Sequence, residues 1–370
     1  MSNTTGNLSV LSADKVVSQL CEAYIPLIQK GLSMKLLPAF MLWGPPGVGK
    51  SQAVRQVASR IEEKTRKRVK VTDVRLLLFN PIDLRGIPTA NADKTLAIWL
   101  KPQIFDMDAS PDVVNILFLD EISAAPQSVQ AAAYQITLDR VVGEHRLPDN
   151  CIVIAAGNRI TDKSVAFKMP KALANRLCHL EVESNFESWR RWAVSAGIHE
   201  KVLGFLSFQA GRLSVYDTAS EDLAFATPRS WEMVSNLLKH SNDDPSAIYP
   251  LIVGCVGAGV ATEFRTWCKI YHTLPSITDI FNGKMPPLPT ATDAMYALVS
   301  SMTAYAKEHQ KDMTQIAHSI RYAIKMPTDF SVVLFKNYVA FGQEFKDKLM
   351  RLQEVQDYAR TKGKFLNGVF

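Results

Sequence analysis

The chain has 370 residues, of which 47% are hydrophobic and 21% charged, and its formal net charge is +6. This length and balance are typical of a protein that buries one large core or two ordinary ones, and they exclude a low-complexity chain. The mildly basic charge permits acidic partners but does not by itself predict nucleic-acid binding.

Cysteine usage and apolar runs predict a cytoplasmic protein. The five cysteines include no CxxC pair, so they predict reduced thiols and neither a disulfide framework nor a zinc site. The N-terminus lacks the basic start and apolar core of a signal peptide. The most apolar stretch, residues 250–261, is shorter than the roughly 18–20 residues that span a bilayer, so it predicts a tightly packed core helix and no membrane span.

The first half of the chain predicts an α/β domain. Residues 1–10 are polar and are expected to be loose, and a helix follows because Leu20, Tyr24 and Leu27 recur at helical spacing with apolar neighbours. Five apolar runs separated by amphipathic helices then predict a parallel sheet covered by helices on both faces. The runs are residues 40–43, 69–79, 113–119, 151–156 and 177–182.

After residue 184 the strand pattern stops. Apolar residues then recur only at helical spacing, which predicts an all-helical region with a boundary near residues 184–186. The clearest helical segments are residues 186–196, 231–238, 292–308 and 330–358.

A phosphate-binding loop is predicted at residues 44–51. The sequence GPPGVGKS matches G-x-x-x-x-G-K-S/T, follows an apolar run and opens a helix, which is the context that the motif requires. The glycines let backbone N–H groups surround phosphates, the lysine reaches the β- and γ-phosphates, and the serine hydroxyl ligates magnesium. A glycine-rich turn that matches by chance is the alternative. The predicted nucleotide-binding residues are Gly44, Pro45, Pro46, Gly47, Val48, Gly49, Lys50 and Ser51.

Two acids end the third apolar run, at Asp120 and Glu121. Unpaired carboxylates at the end of a buried strand are costly for packing alone. They are explained if Asp120 holds magnesium through water and Glu121 orients or deprotonates the attacking water. The alternative is a helix N-terminus, where acids are also favoured.

Three further polar residues are candidates. Asn158 ends the fourth run, where it can position water beside the γ-phosphate, although asparagine is also a common turn former. Arg176 is a candidate arginine finger, with a surface ion pair as the alternative. Arg229 follows a predicted N-cap, Thr227, and first helical residue, Pro228. A cation is disfavoured in a first turn, which points to a bound nucleotide, against an exposed arginine as the alternative.

In this order, the five elements resemble those of the MoxR branch of the AAA+ ATPases, over roughly residues 36–240. Residues 44–51 resemble its Walker A motif, residues 116–121 its Walker B, Asn158 its sensor 1, Arg176 its arginine finger and Arg229 its sensor 2. Residues 80–102, with a turn at 91–93, and residues 138–148 are similar to two hairpins of that family. Asn175 and Arg159 depart from its usual aspartate and proline.

The resemblance implies a fold, cofactors and partners. It implies an AAA+ α/β core followed by an all-helical lid and a C-terminal helical region. The implied divisions are a tail and leading helix (1–35), the nucleotide-binding domain with two hairpin inserts (36–184), the lid (185–300) and the extension (301–370). It also implies ATP and Mg²⁺ as cofactors, a hexameric ring, and remodelling of client protein complexes with a partner that carries a von Willebrand factor A domain.

Three alternatives to a protein remodeller stay open. The basic run at residues 64–70 permits a nucleic-acid motor or loader, although a basic run at a helix end is usually a solvated face and no recognition motif accompanies it. A non-hydrolysing switch is disfavoured because Lys50, Asp120, Glu121 and Arg176 are all present. GTP in place of ATP is the third alternative, although the guanine-reading N/T-K-x-D motif does not occur.

Overall fold

The computed structural model describes residues 8–162, 167, 169–217 and 220–362. The chain divides into two compact units, Met1–Ser184 and Asn185–Phe370. Each unit is considered by itself.

The first unit contains a sheet of six parallel strands in the order β1-β10-β2-β9-β6-β3. The strands of this sheet are β1 (Val10–Ser12), β2 (Ala39–Trp43), β3 (Arg68–Arg75), β6 (Val113–Asp120), β9 (Cys151–Gly157) and β10 (Leu177–Glu183). Two small hairpins supply β4 (Ile87–Ala90) with β5 (Ala97–Leu100), and β7 (Val141–Val142) with β8 (His145–Arg146).

Helices cover both faces of this sheet, as the sequence predicts. They are α1 (Ala13–Gln29), α2 (Lys50–Thr65), α3 (Pro81–Arg85), α4 (Gln127–Asp139) and α5 (Lys171–Ala174). One apolar core lies between the sheet and the helices α1 and α2, and the other lies on the opposite face against α3 and α4. The central strands β6 and β9 are buried along nearly their whole length, which explains their continuous apolar runs.

The sheet differs from the prediction at its two edges. The expectation of a loose segment through residue 10 is wrong at its end, because Val10–Ser12 pairs with β10 as a sixth strand. Three residues are too few to show a strand period. The strand expected at residues 69–79 ends at Arg75, opposite Asp120, and a single 3₁₀ turn follows at Leu76–Leu78.

The two hairpins lie where the family resemblance implies them, with one local difference. β4 and β5 are joined by a loop in which the Asn91 side chain accepts hydrogen bonds from the backbone N–H groups of Thr95 and Leu96. Residues 81–85, which the hairpin was expected to include, instead form the helix α3. Pro81 is its first residue, and Asp83 accepts from the backbone N–H of Asn80 at its start.

The described residues of the second unit form helices joined by turns and loops, without a strand. Its helices are α6 (Phe186–Ala196), α7 (Glu200–Phe208), α8 (Pro228–His240), α9 (Tyr249–Val256), α10 (Ala258–Cys268), α11 (Ile277–Phe281), α12 (Thr292–Glu308), α13 (Met313–Ile324), α14 (Thr328–Val339), α15 (Gln343–Met350) and α16 (Gln353–Lys362). Two apolar clusters form its core.

The apolar stretch at residues 250–261 is not the single core helix that the sequence suggests. It is divided between α9 and α10 at Gly257, whose φ of 85° lies in the left-handed region. A Cβ at this position would also press against the backbone oxygen of Ala224. Leu251 is 52% exposed, so much of the stretch faces solvent. Among the described helices, none has the length and apolar character that crossing a membrane requires.

Candidate active site

The phosphate loop connects β2 to α2, which begins at Lys50. Its first residue, Gly44, donates its N–H to the carbonyl oxygen of Gly157 in β9 (3.3 Å). A Cβ on Gly44 would overlap the carbonyl oxygen of Val182 in β10, so only glycine fits. The loop is therefore fixed against two strands at the edge where the parallel strands end, and it leads into a helix N-terminus that favours anions.

Lys50 is nearly buried, and its ammonium group bonds to three acceptors in the part of the chain that the structure describes. Nζ donates to the carbonyl oxygens of Gly44 (2.6 Å) and Pro45 (3.0 Å) and to Oδ1 of Asn158 (2.9 Å). An ammonium group has three N–H donors, so all three are matched. The side chain thus links the phosphate loop to the end of β9. A phosphate oxygen bound to Lys50 would take the place of one of these acceptors.

Ser51 and Asp120 contact each other directly. Ser51 Oγ donates to Asp120 Oδ2 at 2.9 Å, and Asp120 Oδ1 accepts the backbone N–H of Glu121. Magnesium prefers hard oxygen ligands and is commonly held by one or two protein groups together with phosphate oxygens and water. These two side chains fit that ion. When bound with a nucleotide, magnesium neutralises negative charge on the phosphates.

Glu121 has an uncommon backbone conformation. Its φ is 58°, in the left-handed region that non-glycine residues seldom occupy. Its half-buried carboxylate has no hydrogen bond or ion pair with any described residue. Such conformations cost roughly 1–3 kcal/mol and cluster at functional sites, where the surrounding structure holds them. Glu121 therefore supplies a carboxylate without a described partner directly after Asp120, which suits a group that takes a proton from water or orients it.

Ser123 holds the end of β9 against the turn that contains Glu121. Its Oγ accepts the backbone N–H of Asn158 at 2.9 Å, and Ile122 donates its N–H to the carbonyl oxygen of Ala156. The Asn158 side chain is thereby set facing Lys50. Its amide NH₂ remains available as a donor, because its Oδ1 accepts from Lys50.

Arg159, the next residue, has a structural role. Its guanidinium contacts Asp162 (2.8 Å) and Glu181 in β10. Burial lowers the pKa of Arg159, but these two carboxylates outweigh burial and raise it above its usual value. Arg159 therefore anchors the loop after β9 to β10, with a stable positive charge.

Two predicted site residues remain, Arg176 and Arg229. Arg176 is exposed in the turn between α5 and β10, and it has no hydrogen bond or ion pair with a described residue. Arg229 is exposed in the first turn of α8, in the second unit. There, Thr227 caps the helix by accepting the Ser230 N–H (3.1 Å), and Pro228 is the first helical residue.

Three features of the site had no place in the sequence prediction. Asp73 in β3 lies near Asp120, and burial and the Asp120 charge raise its pKa. The signal was a lone acid within a predicted apolar strand. The segment that enters α1 also borders the phosphate loop, because Ala13 approaches Gly49. Finally, Trp43 and His179 are hydrogen-bonded beside the loop, and no sequence spacing relates these two residues.

Comparison with known proteins gives one family. Residues 39–179 match the model of the ATPase family associated with various cellular activities (AAA). The matched segment runs from β2 into β10 and contains the phosphate loop, both acids, Asn158 and Arg176. No curated protein matches the chain.

Solved structures give more distant likenesses. The chain is similar to NtrX from Brucella abortus in complex with ATP, with 15% identity over 98% of this chain and 69% of that one and a TM-score of 0.34. A mutant form of RuvB from Thermotoga maritima is 14% identical over 80% of this chain and 86% of that one, with a TM-score of 0.34. PCH-2 from C. elegans is 14% identical over 74% of this chain and 72% of that one, with a TM-score of 0.34. At these scores the likenesses add nothing on function.

Proposed function

From the premise that residues 39–179 form an ATPase domain with an ATP site, we propose that the chain works as a MoxR-like AAA+ ring in which neighbouring protomers complete each other's sites. One observation carries this proposal. Lys50, Ser51, Asp120 and Asn158 form two contacting pairs at the phosphate loop, while Arg176 is exposed and has no partner among the described residues. An exposed, permanently charged guanidinium is suited to reach a phosphate of another protomer.

The proposed chemistry divides the work between two protomers. In one, the loop and Lys50 bind the phosphates, Ser51 and Asp120 hold Mg²⁺, Glu121 activates water and Asn158 positions it. The neighbour supplies Arg176, which stabilises charge on the transferring phosphoryl group and contributes roughly 10³–10⁵ in rate. Arg229, which is exposed at the start of α8, is proposed to report the nucleotide state to the helical unit.

Exposed apolar side chains support a protein client over a nucleic acid. The hairpin of β4 and β5 exposes Ile87 (59%), Leu96 (67%) and Leu100 (55%), and clustered apolar exposure marks protein interaction surfaces. In the basic run, Asp108 pairs with Arg68 and Lys70 and so offsets part of the charge that a nucleic acid needs. We also propose a hexamer and a partner with a von Willebrand factor A domain, which the family resemblance implies, and a cytoplasmic location, which the cysteine usage and apolar runs predict.

Mixed assemblies test the shared site. Arg176→Ala protomers keep a complete phosphate site but offer no finger, and Glu121→Gln protomers offer the finger but do not turn over. Each variant alone is expected to bind ATP and to hydrolyse it at least about a hundredfold more slowly than the wild type. Their mixture is expected to recover turnover, measured as phosphate release, because Glu121→Gln protomers supply Arg176 to intact neighbours.

The control is a mixture of Arg176→Ala with protein that carries both substitutions, which supplies no arginine and is expected to stay inactive. Differently tagged protomers that co-purify establish that mixed assemblies form. If they form and turnover does not recover, the shared site is rejected.

A further inference from the structure

The turn that contains Arg176 is hydrogen-bonded to a residue of β10. The helix before it, α5, has only four residues, and Asn175 donates its N–H back to the carbonyl oxygen of Lys171 (3.1 Å). So short a helix leaves its last carbonyl oxygens without helical partners. One of them, on Ala174, is bound by Nε2 of His179 at 2.7 Å. This contact lies two residues from Arg176 and fixes the end of the turn.

The second ring nitrogen of His179 is also bound. Nδ1 lies 2.9 Å from the indole Nε1 of Trp43. The planes of the two rings are stacked with an angle of 20° between them. An indole N–H is only a donor, so Nδ1 accepts and Nε2 carries the hydrogen that is donated to Ala174. One tautomer of His179 therefore satisfies both contacts at once.

Trp43 connects this pair to the phosphate site. It is the last residue of β2 and directly precedes Gly44, the first residue of the phosphate loop. β2 and β10 are parallel neighbours in which His179 is in register with Met41, so Trp43 and His179 extend from the same face of the sheet. One peptide bond and two consecutive hydrogen bonds thus join the phosphate loop to the Arg176 turn within one protomer.

We propose that His179 is a positioning residue for Arg176, which holds the finger turn in a fixed relation to the phosphate-binding strand of its own protomer. The guanidinium that reaches the neighbour's phosphate then extends from a turn whose position is fixed. This role rests on the proposed shared site. It differs from a purely structural role in one respect: His179 matters in the protomer that donates the arginine and not in the protomer that hydrolyses.

The mixed assembly separates the two roles. His179→Ala is placed either in the Glu121→Gln protomer, which donates Arg176, or in the Arg176→Ala protomer, which hydrolyses. In the donating protomer we expect the recovered turnover to fall by roughly ten- to a hundredfold, because a displacement of about 1 Å has effects of that size. In the hydrolysing protomer we expect a change of less than about twofold.

Three variants of the donating protomer serve as controls. Cys178→Ala, at the neighbouring position on the opposite face of β10, is expected to leave turnover unchanged. Trp43→Phe keeps a ring but removes the indole donor, and an intermediate loss is expected. His179→Gln keeps one acceptor and one donor and is expected to restore part of the turnover that His179→Ala loses. It also replaces His179→Ala if that variant does not fold.

The outcomes are distinct. Loss only in the donating protomer supports the proposal. Equal loss in both placements assigns His179 a structural role and overturns the proposal, and so does no loss in either. If the parent mixture without any His179 substitution fails to recover turnover, the shared site itself is rejected, and this role is rejected with it.

Discussion

The two units place similar polar side chains in different settings. In the first unit, Lys50, Asp120 and Asn158 lie on segments at the ends of parallel strands, and Glu121 has no partner among the described residues. In the second unit, the phenol of Tyr271 donates to the backbone oxygen of Glu200 (3.0 Å). In both units these groups are hydrogen-bonded, but in the first unit the Glu121 carboxylate is left without a partner among the described residues, at the strand ends beyond which ligands bind in parallel sheets.

A second cluster of the helical unit follows the same pattern. Asp243 lies between His199 (3.0 Å) and Lys201 (2.7 Å) at the wall of a cavity of about 1150 Å³. Its φ of 55° is a strained value that these contacts hold in place. Burial raises the pKa of Asp243, but the bonds to His199 and Lys201 outweigh burial and lower it. Here the ion pairs stabilise a turn with a strained backbone, so neither paired charges nor a strained backbone is enough to identify a catalytic site.

The largest expected effect is on ATP affinity and comes from removing the ammonium group of Lys50. Lys50→Ala is expected to lower ATP affinity by at least about thirtyfold, since truncating one member of a buried charge pair costs roughly 2–5 kcal/mol. Binding is measured by calorimetry. The matched control is Lys64→Ala, at the exposed end of the same helix, which is expected to bind ATP normally. Unchanged affinity in Lys50→Ala would contradict the assignment of the phosphate loop.

A smaller effect is expected from one hydrogen bond that occurs in both units. Ser123 accepts the N–H of Asn158, and Ser235 accepts the N–H of His199, each at 2.9 Å. Both serine-to-alanine variants are expected to lose about 1 kcal/mol of unfolding free energy. Only Ser123→Ala is expected to lower kcat, by roughly tenfold with KM unchanged, because a misplaced Asn158 affects the reacting geometry. A similar fall in kcat for Ser235→Ala would erase the distinction between the units.

The smallest effect is expected on stability alone, at Glu200. Burial raises the pKa of this carboxyl, against the smaller lowering effects of Ser301, His199 and Lys201. The folded protein then keeps the proton over a pH range in which the unfolded chain has lost it, so stability falls as the pH rises above about 4. Glu200→Gln has no such proton, and its melting midpoint is expected to exceed that of the wild type by a few degrees at about pH 8.

The pH dependence is the test of this last expectation. The difference in midpoint between Glu200→Gln and the wild type is expected to grow between about pH 4 and pH 8. A difference that stays constant or shrinks would contradict it. ATP affinity is expected to be the same in both proteins.

Much of the fold could be predicted because its signals are local. The central strands β6 and β9 are buried on both faces, so their residues form unbroken apolar runs that end in the polar groups Asp120 and Asn158. The phosphate loop follows from its own glycines and from its position between a strand and a helix. The helix α6, at Phe186–Ala196, coincides with its predicted bounds, because its apolar residues recur at helical spacing.

The edges of the sheet and the contacts across it could not be predicted in this way. β1 has three residues and exists because β10 offers an unpaired edge. The contact between Trp43 and His179 joins residues far apart in the chain, and no local pattern relates them. The pairing of Ser123 with Asn158 likewise depends on how β6 and β9 lie side by side.

By itself, the sequence determined the parallel α/β core, the helical second half and the residue types that surround a triphosphate, because those depend on hydrophobic period and short motifs. Only the tertiary structure decided that Lys50 meets Asn158, that Ser51 meets Asp120, and that the Arg176 turn is bound by His179. Such contacts arise when strands distant in sequence become neighbours in the sheet. Their geometry therefore depends on register, which no single segment encodes.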